Sequence, residues 1–278
     1  MAEQLLTTTI QAPGFMGLNR QDSSVGLDNG YATVADNCII DKFGRIGSRK
    51  GWTTKHSTLA ALAGNVQAIG ELIDNAGNSY IIAAGSNKLF KLNGSTLTEI
   101  TYGGGGVAPT ISGNHWQMAA LNGCLYLYQV GHDPLVFDPT TSSTTYKRIS
   151  EKTGYLGTVQ NSNCAISAYG RIWTANTSVD KNTIQFSDLK SGHVLNTGTS
   201  GTLDVSQIWP NGADEIIALS AHNGFLIIFG RRQILIYQGA RDPSSMSLYD
   251  AISGVGCSSR DSVVVTGGDV IFLSDTGV

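Results

Sequence analysis

The sequence predicts an all-β protein: a β-propeller of four-stranded blades, preceded by an extended arm and a hairpin. Three observations predict it. Hydrophobic residues make up 41% of the 278 and charged ones only 14%, with 34 glycines against 6 prolines. That balance suits many tight turns and few solvated helices. Short runs rich in Ile, Val, Leu, Tyr and Thr, bounded by Asn, Gly, Asp and Ser, recur in place of the i, i+3, i+4 spacing of an amphipathic helix. Finally, one turn-and-strand phrase returns as "AGNSYIIAAG", "NGCLYLY", "YGRIWTA", "NGFLIIFG" and "GGDVIFLS". Its turn glycines, Gly77, Gly123, Gly170, Gly224 and Gly268, are spaced by 46, 47, 54 and 44 residues. Periods of about 40–50 residues holding several short strands are the mark of propeller blades.

Residues 1–60 show no blade pattern. "LLTTTI" (residues 5–10) is a candidate closing strand. Residues 12–53 read as an extended arm, a turn at "LDNGY", a short strand "ADNCII", a turn "DKFG" and a second strand in "RIGSRKGW". "KFGRIGSRK" is the only local excess of basic residues and reads as a solvated loop.

Residues 61–278 are assigned to the blades. In each unit an apolar strand leads into the turn glycine ("VQAIGEL", "HWQMAAL", "NCAISAY", "DEIIALSA") and a second leaves it. A third follows a polar turn ("KLFKLN", "PLVFD", "NTIQFSD", "QILIYQG"). A more polar fourth closes three units ("STLTEIT", "TTYKRIS", "SMSLYD") and is diffuse in "HVLNTGTSGTLDV". Strands near the axis lie between neighbouring blades and read as continuous apolar runs, whereas an outer strand is half solvated. The large residues after the glycines, Tyr80, Ile81, Leu125, Leu127, Ile172, Trp173, Leu226 and Ile228, are therefore expected to be buried between blades. "YGGGGVAPT" is expected to be a flexible inter-blade loop. "SVVVTGGDVIFLSDTGV" supplies only the first half of a fifth blade. The expectation is that this blade is completed by further residues of a longer polypeptide or, within this chain, by residues 5–10.

"GLN" (residues 17–19), Ala35 and Asn37, and the Gly44, Arg49 and Gly51 pattern ahead of β repeats resemble the opening of the tail nozzle proteins of short-tailed phages. This family is also called tail tubular protein B, or packaged-DNA stabilisation proteins. The phrase "VIFLSDTGV" is similar to a late-blade phrase of the same group. The resemblance implies a structural virion protein, made in the host bacterial cytoplasm and built into the phage tail. It implies a homo-oligomeric ring, a hexamer, that meets tail adaptor and portal proteins and tail fibres or a needle. The lumen of such a ring retains packaged DNA and conducts it at ejection without reading its sequence. Taken alone, Asn37, Gly44, Arg49 and Gly51 are also ordinary turn residues, because glycine accepts positive φ and asparagine caps bends.

Charge and motifs bound the alternatives. A net charge of −3 with no basic run disfavours tight gripping of DNA phosphates. Cys38, Cys124, Cys164 and Cys257 lie far apart and do not form a zinc pattern. No run approaches the ~20 apolar residues that span a bilayer. The histidines His56, His115, His132, His193 and His222 have no ligand spacing, and His222 is expected to be exposed at its turn. No catalytic, cofactor-binding or metal-binding residue is assigned, and the chain is not expected to be an enzyme. The alternative is a carbohydrate-binding or glycoside-processing propeller, in which Asp133, Asp188, Arg241 and Asp242 converge on one end of the axis.

Overall fold

The computed structural model describes residues 16–28, 30–40, 45–51, 53, 65–85, 87–110, 116–129 and 131–277. The strand expected at residues 5–10, and Gly44, His56 and His115, lie outside them. The chain separates into two units, Met1–Lys55 and His56–Val278. In the first, β1 (Gly17–Leu18) pairs in parallel with β2 (Tyr31–Ala32), and β3 (Cys38–Ile40) pairs antiparallel with β4 (Ile46–Ser48). The residues that carry the resemblance shape these turns. Gly17 sits at φ +138° and Asn37 at φ +54°. The Asn19 side-chain oxygen accepts the amides of Gln21 and Asp22 at 3.0 and 3.3 Å. The Arg49 amide donates to the Asn37 carbonyl at 2.8 Å.

The second unit is a series of propeller blades. The first blade is β5 (Ala68–Ile73), β6 (Ser79–Gly85), β7 (Lys88–Asn93) and β8 (Thr96–Tyr102). The second is β9 (Gln117–Leu121), β10 (Cys124–Tyr128), β11 (Leu135–Phe137) and β12 (Thr145–Arg148). The third is β13 (Ser162–Ala168), β14 (Arg171–Thr177), β15 (Thr183–Phe186) and β16 (Gly201–Asp204). The fourth is β17 (Ile216–His222), β18 (Phe225–Gly230), β19 (Gln233–Gln238) and β20 (Ser247–Ser253), and the hairpin β21 (Val264–Val265) and β22 (Val270–Ile271) follows. Each blade is an antiparallel meander in sequence order. The first strands β5, β9, β13, β17 and β21 abut one another in series, so they line the axis and the fourth strands lie outermost. The outer strands β8 and β12 also pair in parallel, Thr101 with Thr145 and Tyr102 with Tyr146, joining two blades into one eight-stranded sheet. Among the described residues there is no α-helix, only three single 3₁₀ turns.

The turn glycines act as the repeat predicts. Asn122 and Gly123, Tyr169 and Gly170, and Asn223 and Gly224 all have positive φ. That is the two-residue turn whose twist matches the flanking strands. Tyr169 is a bulky residue for this region. Its hydroxyl donates to the Phe225 carbonyl of the next blade at 2.7 Å, which fixes the turn from outside.

One register rule governs the packing. Side chains two and four residues after a turn glycine face the preceding blade; those three and five after face the following one. Leu125 and Leu127 thus join Leu72 and Ile82 of the first blade. Tyr126 and Tyr128 join Ala165 and Ile172 of the third. Trp173 and Ala175 meet Leu226 and Ile228 of the fourth. Ile227 and Phe229 meet Val270 and Phe272 of the last hairpin, with the two phenyl centroids 4.9 Å apart. β10 and β14 are buried on both faces, whereas β20 is almost wholly exposed.

Two expectations need correction. Tyr80 is only half-buried, and Ile81 is 40% exposed. Ile81 stands four residues after its glycine, on the face a blade turns to its predecessor, and among the described residues no blade precedes it. Ile82, one residue on, is the buried one. The glycine-rich loop after β8 does join two blades but is pinned. The Gly103 amide donates to the Tyr146 carbonyl at 2.8 Å, and Tyr102 and Arg148 hydroxyl and guanidinium groups bind the Gly105 and Val107 carbonyls at 3.0 Å each.

Candidate functional site

A cleft of about 340 Å³ opens at the axial end opposite the turn glycines. Strand direction explains why these residues meet. β13 and β17 start at this end, β14 finishes there, and the β14–β15 and β18–β19 connections cross it. They deliver Asn163, Asn176, Lys181, Glu215 and Arg231 to one rim, and the segment before β21 adds Ser258, Ser259, Arg260 and Asp261. The volume suits a small ligand. A neighbouring cleft of about 280 Å³ contains Asn211, Asp214, Arg232 and Gln233. Gly256 permits the approach of the segment before β21, because a Cβ there would lie 2.3 Å from the Arg231 carbonyl.

Two of the cations lining the larger cleft, Arg231 and Arg260, are paired with carboxylates. Arg231 Nη2 meets Glu215 Oε1 at 2.6 Å, and that carboxylate raises the pKa of the guanidinium. Lys181 Nζ donates to Asn176 Oδ1 at 2.7 Å, while Asn176 Nδ2 donates to the Ile216 carbonyl at 2.6 Å. Asn176 is itself buried and has φ +62°, a conformation these two bonds hold in place. Arg260 is 8% exposed. Its Nη1 reaches the carbonyl and side-chain oxygens of Asn163 at 2.5 and 3.0 Å, and its Nε meets Asp261 Oδ1 at 2.8 Å. The last hairpin is thereby tied to the first strand of the third blade. Beneath the rim, Cys164 donates to the Ile217 carbonyl at 3.0 Å, and burial pushes its thiol up to about 12. Such a site offers hydrogen-bond donors and acceptors to a polar ligand; Arg231 and Arg260 face carboxylates, and Lys181 is held by the neutral amide of Asn176.

The residues weighed for the glycoside alternative do not all come together. Asp133 lies on the β10–β11 connection, at the same axial end as the cleft, and accepts from Arg148 Nε at 2.9 Å. Asp188, Arg241 and Asp242 lie at the turn-glycine end, on the β15–β16 and β19–β20 connections. Asp188 accepts the Thr199 amide and hydroxyl at 2.9 Å each, and the amide bond leads in lowering its pKa. Asp242 caps the 3₁₀ turn Pro243–Ser245 through Ser244, whose hydroxyl holds its pKa down. His222 is half-buried, and its Nε2 lies 3.1 Å from the Gly268 carbonyl of the last hairpin. His193 sits 3.2 Å from the Tyr126 hydroxyl, with its pKa lowered by burial and then by Lys152.

Sequence reasoning missed the cleft residues. The available signal was the connection after each second strand, which places Lys181 and Arg231 at one end once the blades are aligned. Nothing local in the sequence pairs Arg260 with Asn163.

No family model and no curated protein matches this chain. Similar solved structures include PorZ, a bacterial surface component of the type-IX secretion system of Porphyromonas gingivalis, at 11% identity and TM-score 0.41, covering 76% of this chain and 26% of that one. The WD40 domain of SCAP from fission yeast is similar at 11% identity and TM-score 0.36, covering 74% and 50%. The AfRom2 CNH domain is similar at 10% identity and TM-score 0.33, covering 86% and 78%. The chain thus spans about a quarter of the PorZ chain and half of the SCAP domain.

Proposed function

We propose that this chain is a structural β-propeller of a short phage tail, assembling as a ring that forms a nozzle below the portal and adaptor. The ring retains packaged DNA and conducts it at ejection. The observation that carries this reading is one chain in which Gly17, Asn19, Ala35, Asn37, Arg49 and Gly51 open ahead of serial blades, as in the nozzle family. The low charge agrees with it, since a duplex slides past a wall that makes few phosphate contacts and is held by one that makes many. The test is negative-stain microscopy of the purified protein together with mass spectrometry of phage particles. Rings of one size and a virion location are expected. A monomer absent from particles overturns the reading.

The cleft of about 340 Å³ favours a second reading, a propeller that binds a sugar or another small polar ligand among Asn163, Asn176 and Lys181. A glycan panel that raises the melting temperature of a monomeric protein supports this reading against the first.

A further inference from the structure

Two apolar faces in the blade series lack a covering sheet among the described residues, and the register rule gives each a definite type. On the first blade, Ile69, Ile73 and Ile81 are 68%, 61% and 40% exposed. They share the face that turns toward a preceding blade: Ile81 pairs with Glu71, which lies between Ile69 and Ile73 on the same side of β5. The equivalents of Ile81 in the next three blades, Leu127, Thr174 and Ile228, are 1%, 3% and 0% exposed. On the last hairpin, Val264, Ile271 and Leu273 are 54%, 45% and 43% exposed. Val264 and Ile271 are directly paired, and Ile271 and Leu273 stand three and five residues after Gly268, on the face that turns toward a following blade. Their equivalents in the third blade, Trp173 and Ala175, are fully buried; in the fourth, Phe229 is fully and Ile227 partly buried.

These faces are the two complementary halves of the blade-to-blade contact that the chain already makes four times. We infer that they bind each other between two copies, the Val264, Ile271 and Leu273 face of one protomer seating on the Ile69, Ile73 and Ile81 face of the next. The contact is head-to-tail, so it closes into a ring or runs on as an open stack according to the rotation per copy. Burying isolated aliphatic side chains that now face water drives it. The inference rests on packing register and does not depend on the phage reading.

The test uses the full 278-residue chain and the variants Ile81→Lys and Ile271→Lys, with mass followed by sedimentation across concentration. The wild type is expected to rise above 29.3 kDa with concentration. Each variant alone is expected to stay at the monomer mass, because one half of the contact is charged in every copy. An equimolar mixture of the two is expected to give dimers and nothing larger, since each variant keeps the half the other has lost. Unchanged melting curves establish that both variants fold, and Leu273→Lys replaces Ile271→Lys should the latter melt early. A wild type that stays monomeric throughout overturns the inference and assigns the faces to sheets of another kind. Self-association of Ile271→Lys like the wild type, or a mixture that stays monomeric, overturns the head-to-tail pairing while leaving the phage reading to its own test.

Discussion

Isoleucine occupies the same repeat position at Ile81 and Ile228, four residues after a turn glycine, yet one is 40% exposed and the other 0%. The two sites therefore separate side-chain type from packing. Ile228→Ala removes three methyl-equivalents from the contact between the third and fourth blades and is expected to cost about 2–5 kcal/mol. Ile81→Ala, measured at a concentration low enough to keep the chain monomeric, is expected to cost no more than about 0.5 kcal/mol, as at an ordinary surface site. Urea unfolding of both variants measures the difference, and equal costs would contradict the register rule. His193 supplies a second residue-scale test. Burial lowers its folded pKa below the unfolded value of about 6.5, so the unfolded chain binds the extra proton first as pH falls. Stability is thus expected to be full above pH ~6.5 and to fall on acidification until the folded pKa is reached. Melting temperatures from pH 8 to pH 5 should show this drop for the wild type and a shallower one for His193→Gln.

Within the blade series, the last hairpin has the shortest strands, two residues each, and a face open to solvent. Phe272 against Phe229, and Arg260 against Asn163, fasten it to the fourth and third blades. Arg260→Gln keeps a polar side chain but loses the reach to both the Asn163 and Asp261 oxygens. Hydrogen bonds to a charged group contribute about 1.5–3 kcal/mol, and a loss of that order is expected to appear first as local opening. Amide exchange resolved by peptide should accelerate over residues 258–277 and change little in β10 and β14. Uniform acceleration over every blade would show that Arg260 holds the whole array together.

At the scale of the molecule, all four core clusters draw their residues from the second unit, each between consecutive blades. A series of this kind is stabilised by nearest-neighbour interfaces, so its folding depends on adjacent repeats. Deleting residues 12–53 is accordingly expected to leave blade folding intact, with the strand-dominated circular dichroism and the cooperative melt retained. The proposed nozzle adds a second outcome: the arm is needed for assembly, and its deletion abolishes rings. A shortened chain that still forms rings of unchanged size in electron micrographs would show that the arm has no part in assembly. The blade contact inferred above predicts its own dependence on Ile81 and Ile271, so the two routes to assembly are separable.

Much of the fold was legible because its signals are local. A glycine at positive φ after Asn122, Tyr169 or Asn223 specifies a tight turn wherever it stands. Alternation after it assigns neighbouring side chains to opposite faces of a sheet. Those two facts, repeated at a near-constant period, determined the strands, their order and the buried positions from Leu125 to Ile228. Even the diffuse fourth segment of the third blade contains its strand, Gly201–Asp204. Which blade has a neighbour on each side was decided only by tertiary structure, and so Ile81 is exposed although its sequence context matches Ile228. The same holds for the cleft. Asn163 and Arg260 are 97 residues apart and meet because the first strands gather about one axis. Local chemistry writes turns and strands into the sequence. Coincidence across the axis depends on how each blade is rotated against the next, a sum over every interface that no short stretch of residues records.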